Sequence, residues 1–94
     1  MSVHYIALDV HCAFCEMAVM TSSGKLVLRD HCETRIRALR EAIAKVRRPR
    51  RLTFEEGPLA DWLARELRSS VDELVVIIDK LSQLPNVQDV RRIA

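Results

Sequence analysis

The stretch YIALDVHCAFC, residues 5–15, constrains the fold more than any other part of the chain. It carries a short apolar run, residues 3–10, that stops abruptly at an aspartate, a histidine and two cysteines. A run of this length bounded by polar residues suits a strand rather than a helix, and its near-continuous apolarity predicts burial on both faces. Such a strand needs neighbours on either side and a covering layer. The rest of the chain must therefore supply both.

Two further apolar runs, residues 15–20 and 25–29, flank Thr21, Ser22, Ser23 and Gly24, which is a hairpin signal. With the turn near Ser22 and Ser23, antiparallel pairing brings Cys15 close to Asp30 or His31. Thr34 offers an oxygen to cap a helix, and Ile36, Leu39, Ile43 and Val46 recur at spacings of three and four, on one helical face. That helix is expected to end in Arg47 and Arg48, since Pro49 pushes the preceding residue out of the helical region. Leu52, Thr53 and Phe54 open a fourth strand that runs into Glu55, Glu56 and Gly57.

Pro58 fits the first turn of a second helix, where its missing N–H costs nothing, with Asp61 at the positive end of the dipole. Leu59, Trp62, Leu63 and Leu67 give that helix its apolar face, with Trp62 expected in the core. Residues 74–78 fit a fifth strand ending at Asp79. Leu74, Ile77, Ile78, Leu81 and Leu84 also fit helical spacing, but the strand is preferred, followed by a short helix over 79–84 and a strand over 87–93. Three strands, helix, strand, helix, strand, with at least one parallel crossover, make an α/β layer structure.

A chain of 94 residues is one domain at most. No stretch approaches the roughly 20 apolar residues of a membrane span, and the N-terminus lacks the order of a signal peptide, so a cytoplasmic protein with no membrane partner is expected. The odd count of three cysteines argues against a disulfide framework. The net charge of +2 is uneven, because residues 34–57 carry eight basic and three acidic side chains. Attraction for a polyanion, DNA or structured RNA, is therefore expected in the middle of the chain, at Arg47, Arg48, Arg50 and Arg51. Arginines at a helix C-terminus can equally serve the negative end of the dipole.

Asp9 closes an apolar strand, and Glu55 and Glu56 close another just before a helix. Neighbouring parallel strands put their C-terminal ends on the same edge, where open α/β sheets place their sites. Two carboxylates about 4 Å apart repel by roughly 4 kcal/mol at an effective dielectric of 20, a cost that a divalent cation such as Mg²⁺ offsets. Asp9 can instead simply cap the following turn. His11, Cys12, Cys15, His31 and Cys32 are numerous enough for structural zinc, though the adjacent His31 and Cys32 are too close for the usual ligand spacing, and reduced cysteines with surface histidines are the plainer alternative. A redox role for C-A-F-C is disfavoured, because a reactive pair usually opens a helix.

YIALDVH, the hairpin, GKLVLRD and LTFEEGPLADWLARELR together resemble the N-terminal part of the DEDD-type insertion-sequence transposases numbered one hundred and ten, over residues 4–76. The resemblance implies a partial ribonuclease-H-like domain, similar also to RuvC, over residues 1–78. It implies DNA recombination, with Asp9 and Glu55 as catalytic Mg²⁺ ligands and Glu56 competing with Glu55. The family's two further aspartates and its serine domain lie downstream, so a fragment inactive by itself is implied. The tail IIDKLSQLPNVQDVRRIA resembles instead the closing helix and strand of an ACT regulatory domain and makes residues 79–94 a divergent segment. A small regulatory module that dimerises through an exposed sheet edge is the alternative from a different class.

Overall fold

A computed structural model describes residues 2–79 and 88–92. Its elements are β1 (His4–Val10), β2 (Phe14–Met20), β3 (Leu26–Glu33), α1 (Ile36–Ala44), β4 (Arg50–Glu55), α2 (Ala60–Leu67), a 3₁₀ turn (Arg68–Ser70), β5 (Glu73–Asp79) and β6 (Gln88–Arg92). They form one α/β unit with a mixed sheet in the order β3-β2-β1-β4-β5-β6. The hairpin strands β1, β2 and β3 are antiparallel, β1, β4 and β5 are mutually parallel neighbours, and β6 returns antiparallel to β5. Of the strand expected over 87–93 the described residues Gln88–Arg92 form β6, whereas Asp79 closes β5 rather than opening a helix. The rest of that expected helix, 80–84, lies outside the described residues.

The core lies between the sheet and the two helices. Ile6 and Leu8 of β1, Met17 and Val19 of β2, Leu52 and Phe54 of β4, and Leu74 and Val76 of β5 meet Leu39 and Ile43 of α1 and Leu63 and Leu67 of α2 in one cluster. Each such fully buried side chain contributes about 2 kcal/mol. Trp62 borders this cluster, half-buried, while Ala60 and Ala64 join Leu63 and Leu67 in facing the sheet. Both helices pack on one side of the sheet. The expectation that β1 is buried on both faces therefore fails: Tyr5, Ala7 and Asp9 alternate with Ile6 and Leu8 and stay exposed. Small or polar residues at every second position were the sign of a half-buried strand.

Local chemistry explains the turns. Gly24 takes φ +89°, Gly24 N donates to Thr21 O, and Thr21 N donates to Lys25 O. The three-residue hairpin thus needs a residue free to enter the left-handed region after the turn. Just beyond, the pairing shifts from Val19 opposite Leu28 to Met20 opposite Leu26, which leaves Val27 as an extra residue in β3. This bulge moves the register, so Cys15 faces Cys32 and Glu16 faces His31. Strand β3 also runs to Glu33, four residues past the expected end.

Thr34 is not the helix cap. Its Oγ1 donates to His11 O, and Arg35 holds the cap position without a side-chain bond. The first helix stops at Ala44, before Arg47 and Arg48, although Val46 remains buried. Nor does the second helix begin at Pro58. Gly57 O accepts from Ala60 N in a preceding turn, and the helix starts at Ala60.

Arg50 begins β4 rather than lying in a basic loop, and it is 9% exposed. Its Nη1 donates to Val46 O and its Nε to Ser70 O, both at 2.7 Å, while its backbone N donates to Asp72 Oδ2 at 2.8 Å. Asp72 N returns a bond to Arg50 O, and Arg48 Nη1 donates to Asp72 Oδ1 at 3.0 Å. The Arg50 backbone N–H, and after it Arg48, hold the Asp72 carboxyl below the usual carboxylate range. A carboxyl with a lowered folded pKa stabilises the fold above its unfolded value, about 3.9, and that stability is lost as pH falls through the folded value. Asp72→Asn should therefore lower the melting temperature at pH 7, and the gap from wild type should shrink below about pH 4. Arg50→Met keeps the stem but strands two carbonyls, with an expected cost of about 2 to 4 kcal/mol in chemical denaturation.

Candidate functional site

The pairing of β1 with β4 runs from His4 opposite Arg50 to Ala7 opposite Thr53. The ladder ends there, two residues before Asp9 on one strand and Glu55 on the other. Both side chains have the parity of the exposed face, Asp9 with Tyr5 and Ala7, Glu55 with Arg51 and Thr53. Glu56 lies past the end of β4, where its backbone N donates to Ile77 O at 2.8 Å. Asp9, Glu55 and Glu56 all line a cleft of roughly 990 Å³ at this edge of the sheet, together with Glu16, Arg29 and Gly57.

The loop beyond Asp9 is tied down at several points. His11 N donates to Phe14 O, Thr34 N to Ala13 O, and the Thr34 hydroxyl to His11 O. His11 Nε2 lies 3.3 Å from Asp9 Oδ2 with both side chains exposed. Glu16 stands directly opposite Asp9 across β1 and β2, and its Oε1 lies 2.7 Å from His31 Nδ1. The Phe14 ring stacks on His31 with centroids 4.7 Å apart and lies 5.2 Å from the His11 ring.

Asp9 and the glutamates of LTFEEG, the site residues expected from the sequence, line this cleft. Glu16, Arg29 and the Phe14 stack were not among them. The available signal was the alternation in FCEMAVM, where Phe14, Glu16 and Ala18 take the opposite parity to the buried Cys15, Met17 and Val19.

The proposed zinc ligands divide between the two faces. Cys15 is buried toward the helices and Cys32 lies opposite it, whereas Cys12, His11 and His31 are exposed. Among the described residues no group of three or more His, Cys, Asp and Glu side chains is arranged to hold a metal ion. Burial, followed by the neighbouring Cys15, pushes the Cys32 thiol up, which disfavours the thiolate that zinc binding at this residue needs.

Three of the four arginines expected to meet a polyanion have partners within the fold. Arg50 is held as above, Arg48 bonds Asp72 and Ser69 O, and Arg51 forms an ion pair with Glu73 at 3.2 Å beneath a Tyr5 ring contact of 5.9 Å. Arg47 is exposed and has no ion pair among the described residues. The basic stretch is also offset elsewhere, by Arg40 with Glu66 and Lys45 with Asp30. No helix among the described residues is long and apolar enough to cross a membrane.

Compared with models of protein families, with curated proteins and with solved structures, the chain finds no match. Chelation by EDTA should leave the melting temperature unchanged, because the thiols and imidazoles do not converge; a large fall on chelation would restore structural zinc.

Proposed function

We propose that this chain is the N-terminal catalytic-domain portion of a Mg²⁺-dependent, ribonuclease-H-like DNA transposase or recombinase. One observation carries the reading: Asp9 and Glu55 lie at the C-terminal ends of adjacent parallel strands, one residue before the end of β1 and at the end of β4, and line one cleft. The order of the first five strands, an antiparallel β3-β2-β1 followed by parallel β4 and β5, supports it as a framework. The parity of β4 favours Glu55 over Glu56 as the second ligand.

The donor set suits the proposed ion. Asp9 and Glu55 offer hard carboxylate oxygens in an open cleft, and Mg²⁺ is typically held by one or two carboxylates with water and phosphate oxygens filling the octahedron. When bound, the ion would neutralise charge on a phosphodiester and orient its attacking and leaving oxygens. The chain's own residues do the positioning. Strands β1 and β4, paired up to Ala7 and Thr53, carry Asp9 and Glu55 just beyond, and His11 Nε2 lies 3.3 Å from Asp9 Oδ2. Two carboxylates hold such an ion weakly, so the isolated chain binds Mg²⁺ without cutting DNA.

The alternative of a dimer through a sheet edge is less well supported at β3. The amide of His31 donates to the carboxylate of Asp30 at 2.8 Å, which blunts that edge against a further strand.

Titration calorimetry checks the metal reading: weak Mg²⁺ binding in the wild type, lost in Asp9→Asn and weakened in Glu55→Gln more than in Glu56→Gln. Equal binding by Asp9→Asn would sink the assignment. Mg²⁺-dependent nicking of plasmid DNA by the isolated chain, absent in Asp9→Ala, would show that two carboxylates suffice.

A further inference from the structure

The C-x-x-C spacing points to Cys12 and Cys15 as partners, but the fold separates them. Cys12 sits in the turn between β1 and β2, exposed, and lines the carboxylate cleft. Cys15 shares the parity of Met17 and Val19 and is fully buried in the core cluster. Directly opposite it on β3 stands Cys32, half-buried, with the parity of Leu28 and Asp30 and packed against the same cluster. The two thiols thus lie on the same side of the sheet, across one strand pair. The bulge at Val27 sets the phase that brings them there.

Opposed residues of an antiparallel pair hold their Cα atoms about 5.5 Å apart where the pair is hydrogen-bonded and about 4.5 Å apart where it is not. Both spacings fall within the roughly 4.4–6.8 Å that a disulfide spans, so neither strand has to move for a bond to form. The two thiols differ in access. Cys15 has no exposed surface, and because the Thr34 hydroxyl donates to His11 O, the Cys15 S–H is the donor in its 3.4 Å contact with Thr34 Oγ1. Cys32 retains some exposed surface, so a reagent in solution meets Cys32 first. Burial, and after it the nearby Cys15, raises the Cys32 pKa, which makes its attack on such a reagent slow at neutral pH.

We propose that Cys15 and Cys32 form a reversible redox site, closed by a low-molecular-weight disulfide such as oxidised glutathione. Cys32 gives its proton to water and its thiolate attacks one sulfur of the reagent, whose S–S bond breaks; half of the reagent leaves as a thiol and the other half stays on Cys32 as a mixed disulfide. Cys15 then loses its proton, attacks the Cys32 sulfur and expels the second half as a thiol. Two protein thiols are oxidised, and their two electrons and two protons end on two molecules of reduced reagent. The new bond ties the outer strand β3 to β2 beside the facing pair Glu16 and His31. The hairpin is then closed at both ends, by the Gly24 turn at one and by sulfur at the other. Neither cysteine lines the carboxylate cleft, so the site stands independently of the metal reading.

The test incubates the full chain with excess oxidised glutathione, blocks remaining thiols with N-ethylmaleimide, and maps the peptides by mass spectrometry without reduction. The expected product has Cys15 joined to Cys32, lighter by two hydrogen atoms, with glutathione on the exposed Cys12; dithiothreitol should restore all three thiols. In Cys15→Ala the reaction should stop at a glutathione adduct on Cys32, and in Cys32→Ala the buried Cys15 should stay free. Cys12→Ser removes the exposed thiol, and its oxidised form should melt about 5 to 15 °C above its reduced form, because the link closes the loop 15–32. Circular dichroism checks that each variant is folded; if Cys15→Ala does not fold, the wild type, Cys12→Ser and Cys32→Ala still decide the matter. Free Cys15 and Cys32 after prolonged oxidation, a lasting glutathione adduct on Cys32 of the wild type, a Cys12–Cys15 bond in place of the joined pair, or an oxidised form that melts no higher than the reduced one would each overturn the proposal.

Discussion

The buried guanidinium of Arg50 organises the chain. A charged group taken out of water is tolerated only where its donors are matched, and here the matching carbonyls come from the end of the α1 segment and from the 3₁₀ turn before β5. Its backbone meanwhile exchanges bonds with Asp72. The end of the first helical segment and residues 70–72, some twenty residues further on, are thereby fixed around the start of β4 and β5. Register in a strand propagates without loss, so fixing the first residue of β4 also determines which face receives Glu55 five residues later. The candidate site depends on a contact at the opposite end of the sheet.

A second consequence concerns charge. Along the sequence the basic residues crowd into the middle, with acidic flanks on either side. Folding interleaves them, since Asp30 comes from the first hairpin and Glu66, Asp72 and Glu73 come from the later segment. A basic block in sequence has become a mixed surface. Arg29, which lines the cleft and has no ion pair among the described residues, lies outside that block.

Much of the layout was legible because it rests on local chemistry. Gly24 marked the hairpin, the three-and-four spacing of Ile36, Leu39 and Ile43 marked α1, and the apolar runs ending at Asp9 and Glu55 marked two strands. The number of faces covered was not legible, because YIALDV reads as apolar throughout until its small and aromatic members are assigned to one side. Nor was the cap at α1, since Thr34 satisfies a distant carbonyl instead of the helix it precedes. The sequence around Arg50 points to a solvated stretch, because nothing local reveals that Ser70 and Asp72, about twenty residues on, converge on it. Glu16 and Arg29 were missed for a related reason: cross-strand neighbours are set by pairing, and pairing is not written in either strand alone.

The bulge at Val27 shows how far one residue can reach. Side chains alternate with a period of two, so an extra residue reverses the phase of everything beyond it. Past that point Arg29, His31 and Glu33 are exposed, while Leu28, Asp30 and Cys32 lie half-buried toward the helices. Without the insertion the two sets would exchange faces, placing a guanidinium and an imidazole against the core and a cysteine on the opposite face. Val27 makes no contact with the cleft. It acts as a phase marker, and the chemical character of the whole open face is written by where it falls.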